Sequence, residues 1–279
     1  GLLCAEGLSV ARVIAVDREQ FTLADGLTEF RGRLAGRVLH QLESAEQCPC
    51  VGDWVFVDRP SPDGAATIRK LLPRRTCLRR KSVGSPAGYQ MIAANVDVAI
   101  IVQSCHYDFN VNRLERCLAM VQEGGVLPAV LLTKTDLVSA EVLAGQIAQI
   151  RLSGIDARLV ALSNVSRAGL AELESIFISG KTYCFIGSSG VGKSTIINTL
   201  IGREVLATKP VSATGEGRHQ TVRRELVRLA GGALVIDNPG MREFGVLGTP
   251  AGIGESFADI EALATRCRYR NCAHQEERD

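Results

Sequence analysis

No apolar stretch in this 279-residue chain is long enough to span a bilayer, and its start carries no basic region followed by an apolar block and a cleavage site. Both absences point away from a membrane and from secretion, so a cytoplasmic protein without a membrane partner is expected. An excess of one charge is missing too: 32 Lys and Arg against 30 Asp and Glu leave a net charge of +2, which excludes a polycation. Aromatic residues make up only 5% of the chain, and few fall in the first 72 residues, which disfavours stacking on the bases of a single strand there. Nine cysteines are present but build no disulfide framework, because most stand singly inside apolar runs, as Cys105, Cys117 and Cys184 do. Cys48-Pro49-Cys50 has no second ligand pair nearby, so a turn is favoured over a metal site.

Residues 187–194 read GSSGVGKS, directly after the apolar run Thr182-Tyr183-Cys184-Phe185-Ile186. This is a complete phosphate-binding loop. Gly187, Gly190 and Gly192 let successive backbone N–H groups of the loop, which also holds Ser188, Ser189 and Val191, turn inward around phosphate oxygens. Lys193 then reaches the β- and γ-phosphates, Ser194 offers its hydroxyl to Mg²⁺, and Thr195 completes the run. Residues 196–201 read as a helix whose positive N-terminal end adds to the phosphate site. A nucleoside triphosphate is the expected ligand.

Thr133-Lys134-Thr135-Asp136 stands before this loop and closes the strand-like run 126–132, which puts Asp136 at the carboxyl edge of a parallel sheet. A carboxylate there accepts hydrogen bonds from the ring N–H and amino group of guanine, a donor pair that adenine does not have. As a bare tetrapeptide the pattern also suits a solvated strand end. A second strand, 157–161, runs into Leu162-Ser163, where GTPases commonly place a short Ser/Ala element against the guanine oxygen, so Ser163 is expected there. Downstream, 233–236 leads into Asp237-Asn238-Pro239-Gly240. Asp237 is expected to hold a water on Mg²⁺, while the Gly240 N–H contacts the γ-phosphate and switches the following loop when that phosphate leaves. Between these landmarks, residues 208–224 are polar and glycine-bearing, and Thr221 is the candidate second Mg²⁺ ligand, an ordinary surface threonine being the alternative. Met241 stands where a Ras-like enzyme carries a water-orienting glutamine. His219 is the candidate catalytic substitute, with contact to RNA or solvent as the alternative.

The order of base motif, phosphate loop and Asp-x-x-Gly is permuted relative to ordinary P-loop GTPases. With Ile92-Ala93-Ala94-Asn95-Val96-Asp97, Gly217-Arg218-His219 and a terminal Cys-x4-Cys-x-His, the chain resembles the circularly permuted ribosome small-subunit-dependent GTPase A family over essentially its whole length. That resemblance implies a multidomain protein: an N-terminal all-β OB-like barrel over 1–75, a central α/β P-loop GTPase domain over 85–248, and a truncated zinc-binding domain over 250–279. It also implies GTP/GDP and Mg²⁺, hydrolysis of GTP, and a role in late maturation of the small ribosomal subunit, with that subunit and its rRNA as partners of a monomer. One Zn²⁺ per chain is expected on Cys267, Cys272 and His274; the fourth ligand implied by the family, a cysteine shortly after the histidine, is not in this sequence. Thr133 replaces the family's commoner Asn, and Gln220 replaces a threonine usual beside Thr221.

The patterning agrees with this division. Short apolar-polar alternation in 8–16, 20–23 and 54–57, punctuated by Asp25-Gly26, Gly52-Asp53 and Pro62-Asp63-Gly64, predicts a small all-β barrel, which pattern alone leaves open between OB and SH3-like types. From about residue 85, strands near 96–102, 126–132 and 157–161 alternate with helices near 112–122, 140–152 and 170–178, which predicts a parallel α/β sheet. Arg74, Arg75, Arg79, Arg80 and Lys81 form one basic cluster, and Arg266, Arg268 and Arg270 another. Each suits a phosphate backbone or a solvated surface. A P-loop ATPase and a nucleotide-gated RNA-binding scaffold are the rival readings.

Overall fold

The computed structural model describes residues 7–17, 20–40, 42, 44–59, 64–81, 89–202 and 224–237. Five strands form the first unit: β1 (Ser9–Asp17), β2 (Gln20–Ala24), β3 (Glu29–Leu34), then the short helix α1 (Gly36–His40), β4 (Trp54–Asp58) and β5 (Ala66–Leu71). They close in the order β1-β2-β3-β5-β4-β1, antiparallel throughout except β3 with β5. That connectivity, a partly parallel five-stranded Greek-key barrel, is OB-like. The alternation seen in the sequence becomes its core, because every second residue points inward: Ala11 and Val13, Phe21 and Leu23, Val55 and Val57, Ala66 and Ile68. Cys48-Pro49-Cys50 leads into a turn, where the Cys50 N–H donates to Asp53 Oδ2 at 2.8 Å.

Part of the basic cluster is a strand, with Arg79, Arg80 and Lys81 in β6 (Cys77–Lys81) and Arg74 and Arg75 just before it. β6 pairs antiparallel with β7 (Tyr89–Ala94) as a separate ribbon. The cluster's charges are partly internal: Arg74 grips the buried Asp53 with Nε and Nη2, both at 2.8 Å, and Arg79 bridges Glu46 and Glu123, both at 2.9 Å. Arg75, 72% exposed, faces solvent.

The second unit runs β8 (Val98–Ser104), α2 (Val111–Glu123), β9 (Leu127–Thr133), α3 (Ala140–Leu152), β10 (Arg158–Leu162), α4 (Leu170–Glu174), β11 (Thr182–Gly187), α5 (Lys193–Ile201), β12 (Glu225–Arg228) and β13 (Leu234–Asp237). Strand order is β10-β9-β8-β11-β13-β12, parallel except for β12. The near-continuous apolar strands follow from burial on both faces. Ala99 and Ile101 of β8 join α2 and α3 in one core, while Ile100 and Val102 join α4 and α5 in the other. The helix expected over 170–178 stops at Glu174. The buried Tyr183 hydroxyl takes over the chain there, donating to Ile176 O at 2.6 Å and accepting from Ile178 N–H at 2.9 Å, which turns the backbone into β11.

The two units share one sheet, since β1 pairs antiparallel with β12 at Ala15 and Glu225. Among the described residues no helix is long and apolar enough to cross a membrane.

Candidate nucleotide site

The carboxyl ends of β8, β9, β10, β11 and β13 all open on one edge of the parallel sheet, the edge where open α/β sheets bind ligands. β11 delivers the phosphate loop to that edge. Gly187 ends the strand at φ +151°, and a Cβ there would sit 2.4 Å from Val102 O, so neighbouring β8 leaves no room for a side chain. Gly192, at φ +100°, then opens α5 in the left-handed region that glycine alone adopts cheaply. The chain folds back over Lys193, whose Nζ donates to Gly187 O at 2.9 Å and Ser188 O at 2.6 Å.

Lys193 is only 6% exposed, and burial lowers its pKa to about 8 against the opposing pull of Asp237 and Asp108. Asp237, 1% exposed at the end of β13, is pushed up to about 6 by burial, with Lys193 and Ser194 acting the other way. Ser194 Oγ donates to Asp237 Oδ2 at 3.3 Å, and Asp237 Oδ1 is buried with no hydrogen-bond partner among the described residues. A serine hydroxyl beside an unsatisfied carboxylate oxygen is the donor set a hard, oxygen-seeking cation needs, and Mg²⁺ fits it.

The base motif is built from the neighbouring strands. Thr133, buried at the end of β9, donates its hydroxyl to Val191 O at 2.7 Å. This departure from asparagine therefore keeps a donor on the phosphate loop. Lys134 adopts the left-handed region at φ +58° and starts the 3₁₀ turn Thr135–Leu137 that carries Asp136. Ser163 Oγ, beyond β10, donates to Asp136 Oδ1 at 2.6 Å and accepts from the N–H groups of Val165 and Ser166 at 3.2 and 3.1 Å. One carboxylate oxygen is thereby oriented while the other keeps its acceptor capacity for a ligand.

The structure thus brings Thr133, Lys134, Asp136, Ser163, residues 187–195 and Asp237 to one sheet edge. His219, Thr221, Gly240, Cys267, Cys272 and His274 lie outside the described residues. Among the described residues no group of three or more metal-capable side chains forms. Two residues here escaped the sequence reading. Tyr107 donates to Gly190 O at 2.6 Å, and Asp108, raised by burial, faces Arg113, Ser188 and Lys193. Both follow the carboxyl end of β8, and that position was their only signal.

A parallel sheet with a phosphate loop after β11, and with its base-reading strand earlier in the chain, defines a circularly permuted P-loop nucleotide-binding protein joined to an OB-like barrel. The RsgA GTPase family model matches residues 71–247. Small ribosomal subunit biogenesis GTPase RsgA 2 of Lactiplantibacillus plantarum is 37% identical over 97% of this chain and 76% of its own length. RsgA of Opitutus terrae is 38% identical over 98% and 77%. The chain belongs to the RsgA GTPase family, whose members are GTP hydrolases, and spans about three quarters of the length of these relatives. Among solved structures, YjeQ from Thermotoga maritima superposes with a TM-score of 0.69 at 21% identity, covering 98% of this chain and 88% of that one. YloQ, a circularly permuted GTPase, gives 0.64 at 24% identity, covering 97% and 85%. Both support the fold.

Proposed function

We propose that this protein hydrolyses GTP in maturation of the small ribosomal subunit, binding the subunit and its rRNA and responding to it with faster turnover. The observation that carries the reading is the buried Asp237–Ser194–Lys193 cluster on the same sheet edge as Asp136, whose carboxylate Ser163 orients, in a chain of this family. Bound Mg²⁺ would neutralise charge on the β- and γ-phosphates. Ser194 and Thr221 would ligate the ion, Asp237 would hold one of its waters, and Lys193 would neutralise phosphate charge. The backbone N–H groups of 187–195 cradle the phosphates, Asp136 selects guanine with Lys134 and Ser163 around the base, and the Gly240 N–H senses the γ-phosphate.

Met241 cannot orient the attacking water, and His219 takes that part in this reading. Incomplete water positioning leaves the isolated enzyme slow. The partition into a barrel over 1–75, a GTPase unit over 85–248 and a zinc-binding unit over 250–279 belongs to the same proposal, as do a monomer working in the cytoplasm and one Zn²⁺ on Cys267, Cys272 and His274. Steady-state GTP hydrolysis with and without purified small subunits tests the central claim. Stimulation by the small subunit alone supports it; equal turnover with and without subunits overturns it.

A further inference from the structure

Between β8 and α2, residues 105–110 form a short loop pinned at its base. Gln103 Nε2 donates to Asn110 O at 2.9 Å, Asn110 Oδ1 caps α2 by accepting from Arg113 N–H at 2.9 Å, and Arg113 pairs with Asp108 at 2.8 Å. Tyr107 stands within this pinned loop, and His106 packs edge-on against its ring at 6.1 Å. The phenol hydroxyl makes two contacts of opposite sense. It gives its proton to Gly190 O at 2.6 Å and accepts from Lys134 Nζ at 2.9 Å, while the ammonium also lies 4.4 Å from the ring centroid.

The direction of these bonds matters because a trans peptide points its C=O and N–H to opposite sides. Gly190 C=O shares a peptide with Val191 N–H, so drawing the carbonyl toward Tyr107 turns that N–H the other way, into the concavity of the phosphate loop. Thr133 does the same for the next peptide, holding Val191 C=O at 2.7 Å and so aiming Gly192 N–H inward. Lys134 enters from the base-reading loop, two residues before Asp136. A single hydroxyl thus connects the side chain beside the base to the peptide that faces the phosphates.

We propose that Tyr107 is a positioning residue for the guanine nucleotide, its hydroxyl relaying Lys134 to the Gly190–Val191 peptide so that the base and phosphate halves of the site are held in one geometry. The inference rests on the GTP-site reading above. An ammonium–hydroxyl–carbonyl chain is polarised along its length, and the cationic donor strengthens the hydroxyl as a donor to Gly190 O.

The test is Tyr107→Phe, which keeps the ring and removes the relay atom. Release of a fluorescent GDP, followed by stopped flow, becomes about tenfold faster, in line with one charge-assisted hydrogen bond lost. KM for GTP rises by a similar factor while kcat changes less, because the relay acts on bound nucleotide in ground and transition states alike. A cycle with Lys134→Met separates this role from simple packing. With the ammonium already gone, removing the hydroxyl changes release by a smaller factor than it does in the unaltered protein. Unchanged release in Tyr107→Phe, or strictly multiplicative losses in the cycle, would overturn the relay. Failure of the unaltered protein to retain GDP at all would instead overturn the GTP site on which it rests.

Discussion

Lys193 and Asp237 carry opposite charges in a site that burial makes hostile to both, and their shifted pKa values record that conflict before any ligand arrives. Asp237 is raised from 3.8 to about 6, so between those values the folded protein binds more protons than the unfolded chain and stability falls as pH rises. Asp237→Asn removes that titration. The variant's stability relative to the unaltered protein should therefore increase across about pH 4 to 6 and level off above, read by chemical denaturation without nucleotide. The same variant should not support Mg²⁺-dependent hydrolysis, and Lys193→Ala should lower kcat by about a hundredfold or more with the fold intact, as circular dichroism would show. Asp136 has a narrower task. Asp136→Asn should cost about a hundredfold in GTP affinity while leaving ATP affinity little changed, because two hydrogen bonds to a charged acceptor are lost only with guanine. Equal losses for both nucleotides in a competition titration would remove its role as base reader.

Strands and loops set these side chains with little slack. The helices over 111–123 and 140–152, and the β9, β10 and β11 strands, were readable because apolar runs and the alternation of strand-like with helix-like segments are local properties. The β6–β7 ribbon was not readable: its first strand is rich in Arg and Lys, and one of them, Arg79, finds partners on Glu46 and Glu123, 33 and 44 residues away. The basic cluster therefore offers less free charge than its sequence suggests. The phosphate loop was legible to the residue, yet the clash that forbids a side chain at Gly187 comes from Val102 on another strand. Gly187→Ala should destabilise the protein by about 2–3 kcal/mol and weaken nucleotide binding, since either β8 or the loop must move. An unchanged unfolding midpoint would show that the sheet relaxes more freely there than its packing implies.

The barrel and the GTPase unit are joined by buried polar groups as well as by the β1–β12 pairing. Arg12 of β1 reaches Gly52 O at 3.2 Å, Asn95 O at 3.2 Å and Thr182 Oγ1 at 2.9 Å, and burial lowers its pKa to about 10. Thr182 begins the strand that ends in the phosphate loop, so the barrel touches the base of the element that presents the site. Arg12→Met should cost about 2–4 kcal/mol, because three buried acceptors lose their donor. The expected sign in urea denaturation is loss of a single transition in favour of separate barrel and GTPase steps; one cooperative transition at the original midpoint would mean the joint contributes little.

Chemistry and nucleotide class were written into the chain, since GSSGVGKS, Thr-Lys-x-Asp and Asp-x-x-Gly act through short-range geometry that a few residues encode. The permuted order was likewise visible, being a property of the chain and not of its folding. Folding alone could bring residues 133, 163, 187–194 and 237 to one edge, close the barrel through the parallel β3–β5 pair, and place Tyr107 against Gly190, 83 residues away. Such contacts depend on which strands become neighbours in the sheet, and that choice is made by burial of two opposite apolar faces at once, a long-range outcome that no local stretch of sequence contains.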